Sequence, residues 1–435
     1  MRLMNIKALK SRISQNKKLA GNTLIYTIST LINKIIPFVL LTVITRYLTT
    51  SEYGIASMFT VTCQVIAPFI MMGCSAAFIR KFIEDDDANN KCYLFNGLII
   101  MATLSFFVGV LLFLFRFQIE TVTAIPVIFI GNLIIVSIAN VFYDTSLAVI
   151  EVKEKAKKYL FLQIGFSMFN ALLAVALVVL AGYGLFGYVI TLTIVGVFKF
   201  VVSLWVMIKE IGIVTQINIT YAKDIIYSFG VPMIPTQLKG TILTYSDRLF
   251  ITNMVAISAT GIYSIGSQFA QPIEVLCQSF NLAFVPWLYK KLNIGDNGTK
   301  KMIVKFTYLY GLFFIILAFL WSFVAQFLLR FWVGEKFVEG GVYITWLSLG
   351  FAFHAMQMMV VNYIYYAKRV SMYSIVTMII LSLNLLLDYF FIGKYGTIGA
   401  AHATMLVNFL SLIFTWILAA HVYKMPWLYF LKSHN

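Results

Sequence analysis

The chain has 435 residues, of which 61% are hydrophobic and 11% charged, whereas a soluble domain carries about 25% charged residues, so the soluble globular classes are excluded. A helical span takes roughly 20 apolar residues, and twelve spans with short connections leave no room for a second, soluble domain. The net charge of +16 resembles a nucleic-acid signal in size, but its placement belongs to a membrane protein and implies no nucleic-acid partner.

Twelve spans are predicted at about 21–44, 53–79, 93–115, 122–147, 159–181, 184–208, 225–252, 255–289, 302–329, 341–366, 370–392 and 397–423. With the N-terminus in the cytoplasm, 24 of the 33 Lys and Arg lie in cytoplasmic segments and five on the opposite side. That asymmetry is the positive-inside rule, and it predicts both termini in the cytoplasm. Only Lys34, Lys199, Lys239 and Arg248 fall deep inside spans, Lys305 being counted with the cytoplasmic segment that it borders. The predicted organisation is a basic cytoplasmic N-terminus (1–20), an N-terminal lobe (21–223), a C-terminal lobe (224–423) and a cytoplasmic tail (424–435). The basic start is read as leading into a retained first span and not as a signal peptide, because the apolar run after it is too long and lacks a small-residue cleavage site.

In the first span Thr23, Thr27, Thr30 and Lys34 recur on one helical face, with Pro37 after them. The second begins EYGIASMFTVTCQ, ending at Gln64, and it has an echo: ATGIYSIGSQFAQ in the eighth span, ending at Gln271. Setting Gly54 on Gly261 pairs Ser57 with Ser264 and Gln64 with Gln271 without a gap, at an offset of 207. A second echo, GYGLFG (182–187) against KYGTIG (394–399), has an offset of 212. Together they predict an internal duplication. Six helices per repeat is an even number, so the halves share an orientation and relate by an axis along the membrane normal, with a cavity expected between them.

Between these echoes the residues say less. Glu84, Asp85, Asp86 and Asp87 read as a solvated cytoplasmic turn, and 209–224 as a link lying along the membrane surface. Lys199 and Asp388 are expected to snorkel, the latter outward beside Lys394, and His354 and His402 to be packed side chains. Cys63, Cys74, Cys92 and Cys277 have no paired spacing, so neither a disulfide framework nor a metal site is expected.

The stretch 225–278 carries Pro232, Pro235, Lys239, Asp247, Arg248 and Glu274 within segments of spanning length. A charge near the bilayer centre costs at least ~2.5–3.5 kcal/mol on insertion scales, so one that remains faces a partner or a wet cavity. Gln237, Thr241, Thr244 and Arg248 follow one face of the seventh span, and Ser267, Gln271, Glu274, Gln278 and Asn281 one face of the eighth. Lys239 points away from the first of these stripes on a straight helix; either Gly240 and the upstream prolines rotate it into the cavity or it lies outside. Two structural readings compete with a functional one. Asp247 and Arg248 can be a local pair anchoring the end of the seventh span, and Glu274 can hydrogen-bond a neighbouring helix near Pro272 instead of serving as a proton or cation coupling site. No phosphate loop or metal cluster occurs, and there is no large acidic outer loop, so no enzyme and no cofactor is expected.

The run SFGVPMIPTQLKGTILTYSDRLFITNMVAISATGIYS, together with ITRYLTTSEYGIAS and YGTIGAAHAT, resembles the polysaccharide biosynthesis (O-antigen flippase, Wzx-type) family. That family sits in the multidrug/oligosaccharidyl-lipid/polysaccharide exporter superfamily. The resemblance implies an all-α integral membrane protein of 12 transmembrane helices in two six-helix lobes around a central V-shaped cavity, without the two extra helices of the lipid II flippase. It implies movement of an undecaprenyl-pyrophosphate-linked oligosaccharide from the cytoplasmic to the outer leaflet of the bacterial inner membrane, driven by a gradient or by the potential. A polysaccharide polymerase and a chain-length regulator are the implied protein partners. In that reading Lys34 and Arg248 meet pyrophosphate, Gln64, Gln271 and Gln278 meet sugar hydroxyls, Thr241, Thr244 and Lys239 complete the substrate-binding cavity, Lys239 if it is turned inward, and Glu274 or Asp247 couples transport. The alternatives are a cation-coupled multidrug or metabolite antiporter of the same fold, which needs an anionic cavity, and a membrane polysaccharide polymerase, which needs a long catalytic outer loop.

Overall fold

The computed structural model describes residues 2–84, 87–212 and 216–427, with side chains from residue 25 onward except 83–88. The basic residues before Gly21, the acidic run 84–87 and the end of the tail therefore lie outside the described side chains. Among the described residues the chain is helical and has no strand. Inside a bilayer a helix satisfies every backbone group within its own segment, which an isolated strand cannot do.

The helices are α1 (Arg2–Tyr47), α2 (Thr50–Met71), α3 (Cys74–Glu84), α4 (Asp87–Leu114), α5 (Arg116–Thr123), α6 (Ile130–Val152), α7 (Ala156–Ala174), α8 (Gly184–Ile211), α9 (Ile219–Lys223), α10 (Val231–Met254), α11 (Ile257–Ile294), α12 (Asn297–Trp332), α13 (Gly341–Tyr366), α14 (Val370–Tyr395) and α15 (Thr397–Val422). Among the described residues, ten stretches are long and apolar enough to cross a membrane. The predicted seventh and eighth spans are α10 and α11, which have the length but fall outside those ten. They are the helices on which the sequence places Lys239, Asp247, Arg248 and Glu274, and these charges, with the amides and hydroxyls around them, lower their apolarity.

The predicted second span is broken. Met72 and Gly73 are left-handed (φ 44° and 65°), so α2 stops at Met71 and α3 starts afresh. Ahead of α10, residues Asp224–Gly230 form a wide π turn. Pro232 brings no N–H to the turn before it, and a freed carbonyl of that kind goes with a local change of helical pitch.

The chain divides into two compact units, one formed by residues 1–48 and 58–241, the other by 49–57 and 242–435. In the first, α6 packs on α8, α3 and α7, and α1 packs on α7. In the second, α13 is the central helix, in contact with α11, α12 and α15. Its core joins Phe284, Tyr310, Phe314, Met359 and Tyr363.

The Tyr-Gly-x-x-Gly echo has a common structural cause. Gly184 and Gly396 are both left-handed (φ 50° and 64°), as the turn between two antiparallel helices requires. Three residues on, a Cβ at Gly187 would lie 2.9 Å from the Leu177 carbonyl oxygen, and one at Gly399 would lie 2.0 Å from that of Phe391. The first glycine makes the turn and the second lets the next helix start against the end of the previous one.

Candidate functional site

The strongest concentration of buried polar groups in the second unit is built on three consecutive residues near the end of α10. Ser246, Asp247 and Arg248 are all buried, at 8%, 9% and 6% exposure. One turn of helix carries a hydroxyl, a carboxylate and a guanidinium out of water, and each must find its partners from neighbouring helices.

Asp247 Oδ2 accepts the Tyr263 hydroxyl at 2.5 Å, and Oδ1 accepts the Arg248 backbone N–H at 2.7 Å. The Arg248 guanidinium lies 5.0 Å from the Tyr245 ring centroid. Its Nε donates to Ser264 Oγ at 3.0 Å, and Nη2 reaches Ser267 Oγ at 3.5 Å. Ser264 in turn lies 2.7 Å from Ser57. Asp247 and Arg248 are thus members of a network that ties α10 to α11 and to the first turns of α2, which goes beyond the local pair considered from sequence.

Ser246 points to α14. Its Oγ lies 2.7 Å from Asp388 Oδ2 and 3.0 Å from Asn384 Oδ1, so one hydroxyl proton sits between two oxygens. Asp388 is fully buried, and its Oδ1 has no protein partner. The expectation that Asp388 snorkels outward beside Lys394 is therefore wrong. Asp388 and Asn384 are four residues apart on one helical face, and that face turns toward α10, while the Lys394 ammonium lies over the Tyr395 ring at 5.2 Å. Lys199 does not snorkel either. Its Nζ donates to Asn140 Oδ1 at 3.2 Å and lies 4.9 Å from the Tyr143 ring, inside the first unit.

The other predicted positions divide between the two units. Lys34, Gln64, Lys239 and Thr241 belong to the first, where Lys34 and Gln64 are exposed and Lys239 and Thr241 half-buried. Thr241 bonds back to the Gln237 carbonyl at 3.2 Å. Thr244, Gln271, Glu274 and Gln278 belong to the second. Thr244, Gln271 and Gln278 are exposed, and Gln278 Nε2 donates to Glu274 Oε1 at 3.1 Å. Asn281, the last member of the predicted α11 stripe, accepts from Asn362 of α13 at 2.9 Å. So the stripe is continuous in sequence but serves three purposes, with Ser267 at Arg248, Glu274 and Gln278 at the surface, and Asn281 in a helix–helix contact.

Sequence reasoning missed Tyr263, Ser246 and Asn384. In the sequence Tyr263 stands out only as part of a Gly-Ile-Tyr-Ser motif. The i, i+4 pair Asn384 and Asp388 on an otherwise apolar helix is the available signal for the α14 side. The four cysteines are buried as free thiols, and no His, Cys, Asp and Glu group suited to a metal ion occurs among the described residues.

The polysaccharide biosynthesis protein family matches residues 19–291, more than half of the chain. An uncharacterized membrane protein of Haemophilus influenzae is 25% identical over 362 residues, covering 82% of this chain and 87% of the relative. Among solved structures, the lipid II flippase MurJ in an inward closed conformation superposes with a TM-score of 0.71 at 17% identity, over 91% of this chain and 87% of that one. The MATE multidrug transporter DinF-BH gives 0.64 at 15% identity, over 93% and 95%. At these identities the structural likeness establishes the fold alone, while the family match rests on sequence. The chain is a multi-span membrane protein and belongs to the polysaccharide biosynthesis protein family.

Proposed function

We propose that the protein is a flippase that carries an undecaprenyl-pyrophosphate-linked oligosaccharide from the cytoplasmic to the outer leaflet of the bacterial inner membrane, for surface polysaccharide biosynthesis. The observation that carries this reading is the character of α10 and α11, two helices of spanning length that keep Lys239, Thr244, Gln271, Glu274 and Gln278 at least partly open among apolar neighbours. A sugar-pyrophosphate headgroup cannot cross hydrocarbon unaided. Hydroxyls and amides suit sugars, and cations suit pyrophosphate.

In this proposal Lys34 and Lys239 meet the pyrophosphate, and Gln64, Thr241, Thr244, Gln271 and Gln278 meet the sugars. Arg248, buried and bonded to Ser264 and Ser267, holds the end of α10 in place. Coupling is assigned to Asp247 and Glu274. What supports Asp247 is the second carboxyl, Asp388, one serine away with an unpartnered oxygen. The potential also favours outward movement of an anionic headgroup by about 2.3 kcal/mol per charge per 100 mV.

The test is charge reversal, Lys34→Glu with Lys239→Glu, scored by surface glycan and by lipid-linked repeat units inside the cell. Loss of polymer with accumulation of the lipid-linked precursor, at unchanged protein level in the membrane, is the expected result. Normal polymer removes the cations from the substrate path. The antiporter reading then gains, since Glu274 would be the surviving charge on that face.

A further inference from the structure

A separate site lies in the first unit, where the connection between the predicted lobes leads into α10. A cavity of about 290 Å³ is lined by Arg80 and Lys81 of α3, Tyr93 of α4, and Tyr221, Asp224 and Phe229 from the connection. Its walls are fixed. Tyr93 is buried and donates to Asp224 Oδ2 at 2.9 Å, and Tyr221 donates to Asn89 Oδ1 at 3.0 Å. The two cations lie over the aromatic rings, Arg80 at 5.6 Å from Phe229, Lys81 at 5.9 Å from Tyr93 and 5.7 Å from Tyr221, within cation–π range. The described lining thus carries two cations and one carboxylate.

Its depth follows from how the connection is attached. Buried Asn96 of α4 donates to the Gln216 carbonyl at 3.0 Å and accepts the Asn218 N–H at 2.9 Å. Those two bonds hold residues 216–218 extended against α4, so Ile217 and Ile219 turn outward and are 70% and 68% exposed. Tyr227, one turn beyond Asp224, is likewise 70% exposed. Large apolar side chains at the end of a membrane helix bundle rest in the headgroup and acyl boundary. The charge distribution assigns this end, with Lys91, Lys153 and Lys223, to the cytoplasmic side.

From these observations we infer that the cavity binds the phosphate of an anionic phospholipid headgroup in the cytoplasmic leaflet. Arg80 and Lys81 meet the phosphodiester, the rings of Tyr221 and Phe229 hold those cations in place, and Ile217, Ile219 and Tyr227 set the connection at the level where that phosphate lies. A basic pocket beside membrane helices on the cytoplasmic side is suited to such a headgroup. The inference is independent of which substrate the protein translocates.

The experiment uses the full chain in detergent, with phosphatidylglycerol or phosphatidylcholine added and bound lipid counted by native mass spectrometry. Phosphatidylglycerol adducts are expected on the wild type, on the conservative Lys81→Arg variant and on Lys157→Gln, which removes an exposed lysine outside the cavity. The double variant Arg80→Gln, Lys81→Gln is expected to bind about 30-fold more weakly, as two cations near a lipid surface would give. Since Arg80 is exposed and Lys81 half-buried, the double variant keeps its fold, and an unchanged melting profile checks this. Equal adducts on the double variant and the wild type overturn the proposal, as does equal retention of phosphatidylcholine. If Lys157→Gln loses as much, the binding is diffuse surface charge and not this cavity. Displacement of the lipid by inorganic phosphate would make the ligand a soluble anion and overturn the lipid source.

Discussion

Ser57 Oγ lies 2.7 Å from Ser264 Oγ, and the two serines are equivalent positions of the internal repeat. Around them the contact is reciprocal. A Cβ at Gly54 would lie 2.0 Å from the Ile257 carbonyl oxygen, and one at Gly261 would lie 2.1 Å from that of Thr50. The offset that pairs Gly54 with Gly261 also pairs Thr50 with Ile257. Each helix start therefore presents its glycine to the carbonyl that matches the one its own repeat mate offers, as in a two-fold contact between identical subunits.

Gly54→Ala and Gly261→Ala should each destabilise by about 1–3 kcal/mol, the usual range for overpacking a tight contact. Once one methyl has pushed the helix starts apart, the second has less to displace, so the double variant should fall short of the sum. Thermal denaturation in detergent measures all three. Additive losses would mean that the two glycines face independent contacts.

Replacing the serine pair by cysteines probes motion at the same point. Ser57→Cys with Ser264→Cys should form a disulfide under mild oxidation, because the two side-chain atoms already lie within hydrogen-bonding distance. If the helix starts part during the transport cycle, the oxidised protein is inactive and a reductant restores it. Transport by the fully cross-linked protein would show that this contact stays closed throughout.

Arg248→Lys separates charge from geometry. The guanidinium meets two serines of α11 from one planar fork, and an ammonium cannot reproduce that arrangement. A destabilisation of about 1.5–3 kcal/mol is expected, in the range of hydrogen bonds to a charged group, although the formal charge is kept. A lysine variant as stable as the wild type would mean that Arg248 contributes only its charge.

Much of this architecture is legible in the sequence, and the reasons are local. The boundaries of α13 and α8 follow from apolar runs ended by charge or glycine, and the repeat follows from Gly54, Ser57, Gly184 and their mates, because glycine and serine at these points answer to backbone geometry. Asp388 is not legible in this way, because the sequence shows how near it is to Lys394 but not which side of α14 faces protein. Its partner Ser246 lies 142 residues away, and no periodicity within either helix announces that contact. Arg248 reads as cavity-facing from a correct helical stripe. The stripe does exist, but its last member, Arg248, turns into Ser264 and Ser267 of α11.

Outside the membrane, the start of α12 gives a pH dependence. Asp296 caps that helix by accepting the Thr299 N–H at 2.9 Å, and its hydrogen bonds to Thr299 hold the carboxyl below the ordinary Asp value. A depressed folded pKa stabilises above the unfolded value, near 3.9, and that stabilisation is lost as pH falls through the folded one. Hydrogen exchange at the first amides of α12 should therefore quicken, beyond the intrinsic trend, below about pH 4, and Asp296→Ala should abolish the step. The same step in that variant would assign it to another group.

The pair Asp247 and Asp388 offers the sharpest separation of stability from function. Tyr263→Phe removes the hydroxyl at Asp247 Oδ2 and leaves a buried carboxylate oxygen unpaired, which should destabilise by about 1–3 kcal/mol or more. Asp388→Asn keeps the volume and leaves Ser246 a partner, so the protein should insert and melt within about 1 kcal/mol of the wild type. If the carboxyl at Asp388 takes part in coupling, that variant loses gradient-driven translocation in proteoliposomes while still binding substrate. If it only fastens α14 to α10, translocation and stability change together, and Tyr263→Phe, which leaves both carboxyls in place, should then impair transport at least as much as Asp388→Asn does.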